Sequence, residues 1–304
     1  MKNNILVFSL ILLFSCNESD TKNTKFLSEN TGKHNEIILV MEDKFWNSEM
    51  GDVLRTTFEK EIPSLPQSEQ LFNLIQINSS EFSRFFQTHK NIIFVSEDLN
   101  DSYSKNKWAK AQIVMYLNCE NLQEFKQSSN KAFSFISRKE IENIKHTYKK
   151  GNNKKGRKHI KENFGIDLYL PTEYTISNKV NGVFIADFHS FNEKQDLLKY
   201  IAVFSFTDDG GDLNEQIITE TDSILNQYIK GSVKGSYVQI DRRIPVVEDG
   251  GVLRAMWNLK NGFMAGPLLI KIRYKEDEIV VSLGLAFYPN ENKRTIVRTF
   301  EAIL

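Results

Sequence analysis

The residue groups of this 304-residue chain that could do chemistry are short runs of glycine with basic or acidic neighbours, five histidines and two cysteines. Gly151-x4-Gly156-Arg157-Lys158 has the glycine spacing of a phosphate-cradling loop. It lacks the Gly-Lys-Ser/Thr ending, and a helical segment precedes it where such a loop requires a strand. It reads instead as a solvated charged loop. Asp208-Asp209-Gly210-Gly211-Asp212 gathers three carboxylates, which hard cations favour, but not at calcium-loop spacing. Asp caps helices and Gly tolerates positive φ, so a turn with a cap is the expectation there and at Glu248-Asp249-Gly250-Gly251. His34, His89, His146, His159 and His189 form no H-x-H or H-E-x-x-H pair, so no zinc site is expected. Gly231 to Ser236 interleaves glycine and serine without the G-x-S-x-G spacing of a nucleophile elbow. Two carboxylates brought together by folding need no motif, so a catalytic acid pair stays open. No cofactor is implied.

Cys16 carries the strongest chemical signal. Lys2 precedes an apolar run, Ile5 to Phe14, broken only by Ser9, which is the charged and hydrophobic order of a secretory signal. At about 1.5 Å per residue that run covers roughly half a bilayer core, too little for a stable span. It ends in Leu13-Phe14-Ser15-Cys16, which resembles the lipobox of bacterial lipoproteins. By that resemblance residues 1–15 are removed and Cys16 becomes a lipidated N-terminus. Two or more acyl chains give stable anchoring at about 0.8 kcal/mol per buried methylene. Residues 16–35 are then expected as lipidated cysteine and flexible tether. Asn17, in place of Asp, favours the outer membrane over the inner.

Charge excludes some partners. Lys plus Arg and Asp plus Glu are equal at 39 each, so there is no global electrostatic case for nucleic acid. Once Cys16 is lipidated only Cys119 remains, so no intrachain disulfide can form. Its setting, YLNCENL, suggests a structural residue at a strand end.

Stepping along the chain, EIILVM (36–41), LFNLIQI (71–77), NIIFVSE (91–97) and AQIVMYLN (111–118) read as strands. Helices are expected over 45–58, with Asp43 as cap, and over 79–89 after Ser79/Ser80. A long helix is expected from Asn121 to Tyr148, with Phe133, Ile136, Ile141, Ile144 and Tyr148 on one stripe. Between 138 and 161 there are ten Lys/Arg against two Glu, and within it Lys149 to Lys158 is the expected low-order stretch. FGIDLYLP (164–171), GVFIADFH (182–189), KYIAVFSF (199–206), GSYVQID, PLLIKIRY and EIVVSLGLAFY read as further strands. The last two join through Lys275-Glu276-Asp277. A helix over 212–230 opens on an Asp212/Glu215 capping box, and Lys293 to Leu304 closes the chain as a helix. The expected class is α+β, largely antiparallel sheets covered by helices. Two subdomains are expected, an N-terminal α/β unit (36–150) and a C-terminal α+β unit (164–304), joined by a basic linker (151–163).

Two surfaces are expected to meet partners. Arg254, Trp257, Met264, Gly266 and Pro267 are types enriched at interaction surfaces, against the alternative that Trp257 and Met264 pack in the core. Lys149, Lys150, Lys154, Lys155, Arg157 and Lys158 could touch anionic head groups at about 1 kcal/mol each.

ILVMEDKFWNSEMGDVLR, PSLPQSEQLFNLIQI, KNIIFV, KWAKAQIV, GSYVQIDRRIP, the Met264 to Pro267 turn, AFYPNENKR and FEAIL together resemble the domain of unknown function 4837 family, lipoproteins of Bacteroidota. Trp46, Gly51, Pro66, Trp108, Gly235, Ser236, Tyr237, Gly266, Pro267, Lys293 and Arg294 fall on the family pattern. RAMWNLKNG departs from it where a glycine is expected before the tryptophan. The resemblance runs from about Glu36 to Leu304 and carries over no activity, cofactor or catalytic residue. It implies a Gram-negative envelope address. The leading expectation is a non-catalytic envelope module that binds an envelope protein or a small ligand. The alternatives are a hydrolase of glycan, lipid or peptide working through fold-assembled carboxylates, and a purely structural assembly factor.

Overall fold

A computed structural model describes residues 26–180, 182–192, 195–275, 278–289 and 291–304. Cys16, the signal segment, the first part of the expected tether and the turn residues Glu276 and Asp277 lie outside the described residues.

The apolar run Glu36–Met41 (β1) is buried along nearly its whole length, as a strand covered on both faces must be. It pairs in parallel with Asn73–Ile77 (β2) and Asn91–Ser96 (β3), and β3 pairs in parallel with Ile113–Asn118 (β5). Ser102–Lys105 (β4) adds an antiparallel edge, giving the order β2-β1-β3-β5-β4. Alternation sorts the side chains. Ile37, Leu39, Met41, Ile93, Val95, Ile113 and Met115 enter the main core, whereas Ile38, Val40, Ile92 and Val114 point to the opposite face.

The expected helix 45–58 is two helices, Asp43–Trp46 (α1) and Glu49–Phe58 (α2). Ser48 interrupts them, and its side chain accepts from the Met50 amide as cap. Leu122–Lys150 (α3) is one helix of 29 residues, roughly 43 Å long, capped by Asn121. The basic run is not a low-order linker. Lys154–Phe164 (α4) is helical because Asn153 caps the Gly156 amide, and Ile160 and Phe164 bury while the lysines face out. Gly165, at φ 73°, ends it in the left-handed conformation that glycine takes without strain.

The second half forms a wholly antiparallel sheet. Its strands are Thr175–Val180 (β6), Val183–Asn192 (β7), Gln195–Thr207 (β8), Tyr237–Ile240 (β9), Val247–Asp249 (β10), Val252–Lys260 (β11), Ala265–Lys275 (β12) and Glu278–Phe287 (β13). The order is β10-β11-β12-β13-β8-β7-β6, with β9 beside β11. One face, through Val183, Ile185, Ala202, Phe204, Ile270 and Leu283, packs with Leu213–Tyr228 (α5). Asp212 caps α5 at the Glu215 amide, as its position predicts. The other face, through Phe184, Ala186, Ile201, Val203 and Leu269, joins the same core as the parallel sheet. Residues of α3, α4 and the final helix Arg294–Ile303 (α6) contribute to that core. The architecture is α+β, and one core is shared by both halves of the chain.

Three further expectations are corrected. Residues 79–89 form two 3₁₀ turns, Ser79–Glu81 and Phe86–Thr88, because Phe82 and Phe86 dock on the sheet rather than along a helix stripe. Residues 164–171 carry no strand ladder, although Ile166, Leu168 and Leu170 bury in the main core. Part of the expected tether is pinned to the body: Ser28 bridges Ala109, Thr31 bridges His89, and Asn35 is fully buried.

Candidate functional site

The surface expected around Trp257 is dispersed by the fold. VLRAMWNLK is not a loop but strand β11, in the second core. Trp257 is 1 % exposed and its indole N–H donates to the Ala286 carbonyl at 3.1 Å, crossing over Gly266. A methyl group at Gly266 would stand 2.0 Å from that carbonyl oxygen, which is why the position is bare. Gly266 and Pro267 are buried with it. Met264 is half-buried on an open groove of about 530 Å³ with Asp241, Arg242 and Arg243. Arg254 lines a different cleft, away from that groove.

That cleft, about 430 Å³, lies where α3 and α6 meet the β10–β11 corner of the antiparallel sheet. The N-terminal half supplies Lys60, Arg138 and Glu142; the C-terminal half supplies Asp249, Arg254, Lys271, Arg298 and Glu301. Five cations therefore face three carboxylates. Arg254 and Arg298 are each 4 % exposed. Both donate to Glu301, on its two oxygens, and Arg254 also donates to Asp249 at 3.0 Å. Arg298 further reaches the carbonyl and hydroxyl of Ser137 on α3, each at 3.2 Å. Arg254 Nη1 and Arg298 Nε have no acceptor among the described residues. Burial pushes the Lys271 ammonium down from its ordinary value, and the Arg273 and Lys145 charges push the same way. The cleft thus carries excess positive charge, with Arg254 and Arg298 buried at its base and Lys60 and Arg138 exposed at its rim.

A second charged assembly sits at the amino ends of β1 and β3. Glu140 on α3 is 1 % exposed. It accepts from the Asn91 amide at 2.9 Å and the Asn35 backbone N–H at 3.3 Å. His34 Nδ1 lies 3.3 Å from it and Lys90 Nζ 3.8 Å. Burial alone would raise this carboxyl, but the His34 hydrogen bond, the Lys90 charge and the two amide donors outweigh it and hold it at about 2. His89 is buried beside them, with its Nε2 3.9 Å from Glu36, and burial lowers its imidazole below the ordinary 6.5. Two histidines 55 positions apart in sequence thus meet, which no spacing motif could reveal.

The remaining motifs take structural roles. Asp208 and Asp209 accept from the Gly210 and Gly211 amides as turn caps. Glu248-Asp249-Gly250-Gly251 is the β10–β11 turn, with both glycines at positive φ. Ser236 Oγ donates to the Val233 carbonyl at 2.6 Å, closing the turn after α5. Gly151 ends α3 and Gly156 lies inside α4, so the basic run forms no phosphate loop. Lys149, Lys150, Lys154, Lys155 and Lys158 are exposed, whereas Arg157 is half-buried and paired with Asp167 through two hydrogen bonds. Among the described residues no group of three or more His, Cys, Asp or Glu could hold a metal, and no helix is long and apolar enough to cross a membrane.

No curated protein matches the chain. Among solved structures, CalU16 from Micromonospora echinospora is similar at 11 % identity over 35 % of this chain and 69 % of that one. Its TM-score of 0.21 carries no argument. Residues 30–149 match a family described as Domain of unknown function (DUF8532). Trp46, Gly51, Pro66 and Trp108 therefore lie under a different family description from the later motif residues. The match that the motifs of the second half anticipate covers residues 153–304, half of the chain, and on it the protein belongs to the family described as Domain of unknown function (DUF4837).

Proposed function

We propose that the protein is a lipid-anchored binding module of the cell envelope whose cleft between α3, α6 and β11 takes an anionic ligand. The observation that carries the ligand class is the surplus of cations around Arg254 and Arg298, two buried guanidiniums sharing the one carboxylate of Glu301. A carboxylate or phosphate entering the cleft would supply the missing counter-charge, and charge-assisted bonds to arginine are the strong ones. The lipidated Cys16 rests on the signal pattern of residues 1–16, and the outer-membrane address on Asn17 after it. A hydrolase would be favoured by acids held protonated near neutral pH. The carboxyls displaced from their ordinary values, Glu140, Asp167, Asp208 and Asp241, are all displaced downward and lie outside the cleft. Binding is therefore the better supported reading.

Titration calorimetry with inorganic phosphate, sulfate and a series of short dicarboxylates tests the ligand class. Saturable binding that weakens with salt, and that Lys271→Met reduces tenfold or more without unfolding the protein, is the expected result. Absence of binding across the series would leave the cleft a structural ion network. Metabolic labelling with radioactive palmitate tests the anchor: a Cys16→Ala chain that still takes up label and stays in the membrane fraction would refute it.

A further inference from the structure

The parallel sheet is covered unequally. Its inner face packs in the main core, but among the described residues no α-helix residue joins Ile38, Val40, Ile92 and Val114 in the cluster on its outer face. Strands in parallel sheets ordinarily have both faces covered. Here the cover is a thin layer of half-buried rings, Phe82, Phe86, Phe94, Trp108 and Tyr116. The rings touch in sequence. Phe94 lies 5.3 Å from Tyr116 and 4.9 Å from Phe82, and Phe82 lies 6.0 Å from Trp108 and 6.5 Å from Phe86. Phe86 then lies 5.2 Å from Phe85, which is 82 % exposed.

Basic side chains rim this layer. Lys107 lies over Trp108 at 4.4 Å and donates to the Tyr116 hydroxyl, and Arg84 is exposed beside Phe85. Lys110 reaches over Phe26 at 5.6 Å while pairing with Glu29. Phe26 is 92 % exposed, and the chain enters the body there, two residues before Ser28 bridges Ala109. Exposed Phe together with half-buried Trp and Tyr rings and lysines able to extend past them is the composition of a surface that sits at a lipid–water boundary.

We propose that this aromatic face, centred on Phe26, Phe85 and Trp108, rests on the lipid surface to which Cys16 anchors the chain. The proposal relies on that anchor. Phe26 lies only ten positions after Cys16, a reach of at most about 35 Å, so the point of chain entry stays close to the bilayer. Contact there sets the body in one orientation, with the aromatic face down and the antiparallel sheet on the far side of the main core.

The full-length lipidated protein, purified in detergent and reconstituted into vesicles of phosphatidylethanolamine and phosphatidylglycerol, decides this with two readouts. Flotation with the vesicles reads anchoring; quenching of tryptophan emission by brominated acyl chains reads contact. The wild type is expected to float and to be quenched. Trp108→Phe should float with most of the quenchable emission gone, because Trp257 is buried and Trp46 packs at the main core. Phe26→Ser/Phe85→Ser should float with quenching at least halved, whereas Lys154→Glu/Lys158→Glu should be quenched like wild type. A protein that floats unquenched overturns the contact and leaves the anchor standing; one that fails to float overturns the anchor and the contact with it. Quenching lost on changing the α4 lysines assigns the contact to the basic run instead. Dimerisation in detergent that Phe85→Ser abolishes makes the face an interface between copies. Either of these last results also overturns the proposal.

Discussion

Glu140 in the middle of α3 and Asn91 at the start of β3 are joined by a hydrogen bond of 2.9 Å, one of several that hold a fully buried carboxylate ionised between helix and sheet. The carboxyl titrates near 2 when folded against an ordinary 4.5, so its contribution is fully present above about 4.5 and is lost as pH falls toward 2. The difference corresponds to roughly 3 kcal/mol. His89 acts in the same direction: its lowered imidazole favours the folded state above 6.5, and that contribution starts to fall below it. Urea unfolding from pH 8 to pH 3 should show stability declining in two stages, the lower one smaller in Glu140→Gln, where Asp167, Asp208 and Asp241 still contribute to it.

Glu301 is the shared counter-charge of Arg254 and Arg298. Glu301→Gln takes from two buried guanidiniums the carboxylate they share, leaving Arg254 its bond to Asp249, and should cost about 3–5 kcal/mol in urea unfolding. Because the group is buried, 1 M salt should recover little of that loss.

Gly266→Ala forces a methyl group against the Ala286 carbonyl and should cost about 1–3 kcal/mol. Trp257→Phe leaves that carbonyl without its indole donor and should cost about 1–3 kcal/mol. The two substitutions disturb one contact, so the double variant should lose less than their sum.

Cys119 is buried at the end of β5, and burial, with Glu97 nearby, pushes its thiol up to about 11. The thiolate is the reactive form. Iodoacetamide at pH 8 should therefore leave the Cys119 peptide unmodified in native protein and alkylate it fully in guanidinium, read by peptide mass mapping.

What the sequence made visible follows from how each element earns its burial. β1, β3, β5, β8 and β13 are continuous apolar runs and stand out, and α3 shows an apolar stripe from Phe133 to Tyr148. β4 is an edge of SYSK, mostly exposed, with no apolar face to display in the sequence. β11 was hidden by Arg254 and Asn258, polar residues within a largely buried strand whose charge partner, Glu301, lies 47 positions away. Parallel pairing leaves no local mark, because the partners of β1 are separated from it by whole helices and turns. Both charged assemblies escaped for the same reason. His34, His89, Lys90 and Glu140 meet only when α3 lies across the sheet, and Arg254 meets Arg298 only when the final helix docks. Arg254 was singled out as a surface residue and belongs to a cleft; its type was the signal and its depth was not.

The core that joins the two sheets has a temporal side. It includes Ile37 from the first strand and Ile303 from the last helix, so ribosomal synthesis delivers one edge of it long before the other. Until α6 emerges, the part of that core lined by α3, β12 and β13 lacks its last cover. A chain whose decisive contacts are this distant in sequence condenses late, and in the interval depends on something else to keep its apolar strands from finding the wrong neighbours.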